Sequence, residues 1–125
     1  MDCHLVKMAK AGQLADGGAI GQDITRIDSI FESDQFDVSI VKCKQCGQSY
    51  VYCFKEYISP GGDDDCWEFW VPIPDNEIKD VKAVAPLLKF MGEMVHSRPH
   101  ICCTPDDRVF WAQNGFPLAF IVFLP

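Results

Sequence analysis

Val38-Ser39-Ile40-Val41-Lys42-Cys43-Lys44-Gln45-Cys46-Gly47-Gln48-Ser49-Tyr50-Val51-Tyr52 is the stretch whose reading decides the fold. Phe36, Val38 and Ile40 alternate with Asp37 and Ser39, the period of a half-buried strand. Residues 50–58 are rich in aromatic and β-branched side chains and read as a second strand. Between them, Cys43 to Gln48 makes a tight turn in which Gly47 relieves the backbone. A structural zinc ion takes four ligands, and a C-x-x-C-G turn between strands supplies two of them. No second C-x-x-C occurs in the chain.

Working outward, Ser59-Pro60-Gly61-Gly62-Asp63-Asp64-Asp65 is a strong turn signal. Residues 66–73 read as a third strand, with Pro72 near its end. Three strands with short connections predict an antiparallel meander. Residues 75–97 have apolar positions at helical spacing, with Asp75 as N-cap candidate and a break expected at Pro86. Three short strands are expected after Pro99, over 100–103, 108–112 and 118–124, the last of them apolar on both faces. On the N-terminal side, residues 23–33 place Ile24, Ile27, Ile30 and Phe31 at helical spacing and predict a short helix capped by Asp23. Residues 1–22 are rich in small residues and read as an irregular arm with at most one short helix. Glycines 12, 17, 18 and 21 lack the Gly-Lys-Ser/Thr ending of a phosphate loop. The expected fold is therefore α+β: one domain over 1–125, an antiparallel sheet of five to six strands, and a helical segment on one face.

At 125 residues and 48% hydrophobic content the chain can bury a substantial core. Its net charge of −7 argues against general binding to nucleic acid or to anionic membranes. Residues 1–12 show no apolar core of a signal peptide, and the longest apolar run is too short to span a bilayer. The expected location is cytoplasmic, where the seven cysteines would be reduced thiols or metal ligands.

Three constellations could carry chemistry. Cys43 and Cys46 could hold a metal, zinc first, if His100, Cys102 or Cys103 comes beside the turn. Adjacent residues on a strand face opposite ways, so only one of Cys102 and Cys103 should reach it. The turn could equally be purely structural, and thiol redox chemistry is a third reading. The second constellation is acidic. Residues 56–80 carry eight acidic side chains against Lys79 alone, as much net negative charge as the whole chain. Asp63, Asp64, Asp65 and Glu68 beside Trp67 and Trp70 suggest a surface that steers and anchors a basic protein partner. The third is catalytic, and it is weak: there is no G-x-S-x-G, no H-E-x-x-H and no evident Ser-His-Asp set. His4 falls in the arm, and His100 beside Cys102 and Cys103 is poorly spaced for a nucleophile–base pair.

The order C-x-x-C-G-Q-x-Y, then Gly61-Gly62-Asp63-Asp64, Trp67, Trp70-Val71-Pro72-Ile73 and a closing Phe110-Trp111 resembles small bacterial proteins of the C-x-x-C-G type. Some of these look like immunity proteins of polymorphic toxin systems. The resemblance spans residues 38–112 and implies a non-enzymatic binding protein that blocks a toxin domain. It carries no catalytic set. The alternative is a zinc-binding structural or regulatory protein centred on the C-x-x-C-G turn.

Overall fold

The computed structural model describes residues 2–32, 36–58, 64–84 and 98–113. An open antiparallel sheet runs through it with six strands in sequence order. These are β1 (Ile24–Glu32), β2 (Phe36–Cys43), β3 (Ser49–Ile58), β4 (Asp64–Ile73), β5 (His100–Cys103) and β6 (Val109–Ala112). The expected meander is thus present and extends over the whole sheet. Among the described residues, three short α-helices accompany it: α1 (His4–Lys10), α2 (Gly17–Gly21) and α3 (Ile78–Val84). Among the described residues, no helix is long and apolar enough to cross a membrane.

The pleat sends alternate side chains to opposite faces, and both faces are apolar. Val38, Ile40, Val51, Cys53, Phe69, Val71, Ile73 and Cys102 form one cluster, closed by Val81 and Ile78 of the α3 segment. Val41, Cys43, Tyr50, Trp70, Ile101, Cys103 and Val109 face the other way, against Leu5, Val6, Ala9, Leu14 and Ile20. Helices therefore cover the sheet on two sides, α3 on one and α1 with α2 on the other.

This corrects the reading of residues 1–22 as an irregular arm. Leu5, Val6 and Ala9 are buried from α1, and Ile20 is buried from α2. A seven-residue helix is too short to be stable alone, so α1 owes its existence to the sheet beneath it. Gly17 shows how tightly the layer sits: a Cβ there would lie 2.8 Å from a Glu68 carboxylate oxygen.

Ile24–Glu32, within the stretch expected to be helical, is a strand. β1 pairs with β2 from Ile24↔Cys43 to Glu32↔Asp37, and two irregularities interrupt the ladder. The register skips Ile27 between Arg26 and Asp28, and Ile30 between Ser29 and Phe31. Each inserted residue displaces the two-residue alternation by one position. Apolar residues at 24, 27, 30 and 31 then mimic a helical period. The β-branched content of Ile24, Thr25, Ile27 and Ile30 was the better guide.

Pro74, and not Asp75, precedes the turn Asp75–Glu77, and the Asp75 carboxylate instead accepts a 2.5 Å hydrogen bond from the Ser49 hydroxyl. The expectations for Pro86 to residue 97 and for a strand over 118–124 lie outside the described residues.

Two buried thiols give the sheet a pH limit. Burial pushes Cys53 and Cys102 from the ordinary 9.0 up to about 12. A thiol kept neutral by burial contributes stability that is complete below pH 9.0 and is lost as pH rises toward 12. The urea midpoint is expected to stay level up to about pH 9 and to fall steeply above it. The Cys53→Ala/Cys102→Ala double variant should show a shallower alkaline fall.

Candidate metal centre

Cys43 ends β2 on the face covered by α1. After it the chain makes a tight turn: the Gly47 amide donates to the Cys43 carbonyl at 3.0 Å, and the Cys43 amide donates to the Gln48 carbonyl at 2.9 Å. Gly47 has φ +78°, the left-handed region where other residues are strained. Cys46 is exposed at the tip of this turn. The Lys44 amide donates to the Asp23 carbonyl at 2.7 Å, which fastens the turn to the chain entering β1.

Cys3 and His4 arrive from the N-terminus. Cys3 precedes α1 and has no capping hydrogen bond, and His4 is the first helical residue. Because Cys3 has φ −59° and ψ 145°, the two side chains are not constrained to the opposite faces that adjacent strand residues would occupy. The ligand atoms of Cys3, His4 and Cys43 all lie within 4.8 Å of one another. His4 Nδ1 is 3.6 Å from Cys43 Sγ and 4.0 Å from Cys3 Sγ. A tetrahedral metal about 2.3 Å from sulfur and about 2.0 Å from nitrogen would hold such atoms about 3.5 Å apart. The Cys46 thiol lies near this cluster and interacts with the thiols of Cys3 and Cys43. Two thiols and one imidazole therefore converge, and Cys46 nearby offers the third thiol that would complete the Cys3His donor count of a closed tetrahedral site.

The surroundings suit a metal in three ways. His4 Nε2 lies 3.2 Å from Asp23 Oδ2. A carboxylate there holds the proton on Nε2 and turns the Nδ1 lone pair toward the thiols. The buried Tyr50 hydroxyl has no conventional partner among the described residues and faces the Cys3 thiol, which as a thiolate would accept its hydrogen bond. Finally, the thiols differ in environment. Burial pushes Cys3 up to about 11, whereas the Gln48 amide pointing at Cys46 holds that thiol below its ordinary value. An isolated Cys3 thiolate is disfavoured at this depth, and a divalent cation removes that penalty.

Cys43, His4 and Asp23 also stand in the order of a nucleophile, imidazole and carboxylate. Cys43 is only 3% exposed, and its imidazole is shared with a second thiol. The adjoining cavity of about 330 Å³ opens onto Cys3, Cys46, Gln48 and Asp75 and not onto Cys43. Ligation fits these positions better than attack on a substrate.

Of the expected ligands, the structure places Cys43 in the cluster and Cys46 near it, and it puts the others elsewhere. His100, Cys102 and Cys103 lie on β5, three strands from β2, which at about 4.8 Å per strand is roughly 14 Å. His100 instead donates from Nδ1 to the Arg98 carbonyl at 2.9 Å and packs edge-on to Phe69. Cys102 and Cys103 are buried in the two opposite cores. The signal that could have located Cys3 and His4 was their adjacency, a ready-made donor pair able to complete a C-x-x-C.

The expected partner surface is divided. Asp63 lies outside the described residues, and Asp64 begins β4. Asp65 is exposed, and Trp67 on the same face is half-buried, its ring stacked 6.3 Å from Phe69. Glu68 and Trp70 point to the other face. Glu68 accepts a 2.7 Å hydrogen bond from the Tyr52 hydroxyl. Trp70 is 2% exposed, so it is a core residue and not a contact.

Comparison of the chain with protein-family models, with curated proteins and with solved structures finds no match.

Proposed function

We propose that this is a non-enzymatic zinc-binding protein whose metal fastens the N-terminal helices to the sheet. Cys3, His4, Cys43 and Cys46 are the ligands, and Asp23 orients His4. The observation that carries the reading is the convergence of the Cys3, His4 and Cys43 donor atoms within 4.8 Å. Soft thiolates with one imidazole in tetrahedral array select zinc over the hard cations. A reducing cytoplasm would keep the thiols available. Protein purified without an affinity tag should contain one zinc per chain. Protein that carries no metal, and takes up none when zinc is supplied, defeats the reading. Asp23→Asn should retain the fold and weaken zinc affinity roughly 10–100-fold, measured by competition with a chelating dye.

A second reading makes the same protein an immunity protein that blocks a basic toxin domain. The exposed Asp65, next to Asp63 and Asp64 in a chain of net charge −7, favours it. Reversing these three residues to Lys should leave the melting temperature and zinc content intact and abolish protection against the toxin. Protection that survives the reversal removes this reading.

A further inference from the structure

The two thiols of the cluster and the nearby Cys46 thiol are not equivalent in access. Cys3 and Cys43 are buried, whereas Cys46 is exposed at the tip of the turn and borders the cavity of about 330 Å³. Cys43 and Cys46 are three positions apart in the turn that the Gly47 amide closes on the Cys43 carbonyl. Residues three apart in a single helix-like turn are neighbours, about 5–6 Å apart between Cβ atoms, close to the roughly 3.5–4.5 Å that a disulfide spans. The Cys46 thiol lies near the Cys43 thiol and interacts with it. Cys66 is also exposed, but it sits on β4 opposite Glu56, at the far end of the sheet from Ile73 and the turn.

We propose that Cys46 is a modification site for hydroperoxides and that Cys43 resolves the oxidised sulfur into a Cys43–Cys46 disulfide. In the first step the Cys46 sulfur attacks the peroxide. The O–O bond breaks, water or an alcohol leaves, and Cys46 becomes a sulfenic acid. In the second, the Cys43 sulfur attacks Cys46, the S–S bond forms, and the S–O bond breaks. The hydroxyl departs with the Cys43 proton as water. The sulfurs lose two electrons and the peroxide gains them. The metal part of this inference rests on the zinc reading: a zinc ion would lose two of its four ligands and leave, releasing the start of α1. The thiol chemistry needs only Cys43 and Cys46.

The test treats reduced, zinc-loaded protein with stoichiometric hydrogen peroxide. Disulfides are mapped by non-reducing peptide mass spectrometry, and free zinc is followed with a chromogenic chelator. The expected result is a single Cys43–Cys46 disulfide, a mass loss of two hydrogens, zinc release on the same time course, and reversal by dithiothreitol plus zinc. Cys46→Ala, which alters an exposed position, should lose the disulfide, and Cys66→Ser should keep it. Oxidation of Cys46 to sulfinic acid without a disulfide, or a disulfide between other residues, overturns the inference. Zinc-loaded protein that resists peroxide overturns it too and leaves the zinc reading standing. Metal-free protein that takes up no zinc yet forms the Cys43–Cys46 disulfide upholds it and defeats the zinc reading.

Discussion

Replacing Cys43 with Ser is expected to abolish metal binding and to lower the melting temperature by roughly 10–20 °C. Ser is nearly isosteric, so the loss of packing around position 43 is small, and the effect comes from the metal. An ion bound at about a thousand times its dissociation constant stabilises the folded state by about 4 kcal/mol. For a chain of this size, each kcal/mol is worth roughly 4 °C. The loss should be local before it is global. α1 has no side-chain cap, and Cys3 and His4 at its start are the residues that meet the turn. Limited trypsin digestion at Lys7 and Lys10 should therefore accelerate in the variant ahead of cleavage in the sheet. Wild-type protein stripped by a chelator should melt with the variant, and Cys66→Ser should melt with zinc-loaded wild type. If stripping leaves the wild-type transition unmoved, the metal does not hold the N-terminal layer.

Trp70→Ala is expected to destabilise the protein by about 3–5 kcal/mol, which places it near unfolding for a domain of ordinary stability. Trp70 is 2% exposed, and its ring packs 5.4 Å from that of Tyr52. It also lies in the cluster that receives Leu5, Val6 and Ile20. Truncation would open a cavity between the sheet and the N-terminal helices. Trp70→Phe should cost much less, because it keeps most of the apolar volume and removes an indole N–H that has no partner among the described residues. Urea titration of the two variants reads the difference. A surface role for Trp70 would instead leave both variants near wild-type stability, so the same titration decides between core and contact.

The hairpin around the C-x-x-C-G turn, the meander and the α+β class were legible in the sequence because each is written in short-range pattern. Two-residue alternation marked β2 and β3, and Gly47 marked a turn that needs positive φ. The sign and strength of the charge were equally legible. Where local pattern was distorted, the reading failed. The skipped residues Ile27 and Ile30 disguised β1 as a helix, since an inserted residue shifts the alternation without leaving a mark in composition. On β4 the acidic–aromatic run looked continuous in one dimension, yet the pleat sends Asp65 and Trp67 to one face and Glu68 and Trp70 to the other.

Two candidate donors of the centre, Cys43 and Cys46, were legible in the sequence alone, because only two residues of the C-x-x-C turn separate them. Its other two were decided only by tertiary structure. Cys3 and His4 stand some forty positions away in the chain. They reach the turn because Leu5, Val6, Ala9 and Ile20 can bury themselves nowhere but on the sheet face carrying Val41, Tyr50 and Trp70. Burial of that apolar surface brings the N-terminus to Cys43, and no local propensity encodes the meeting.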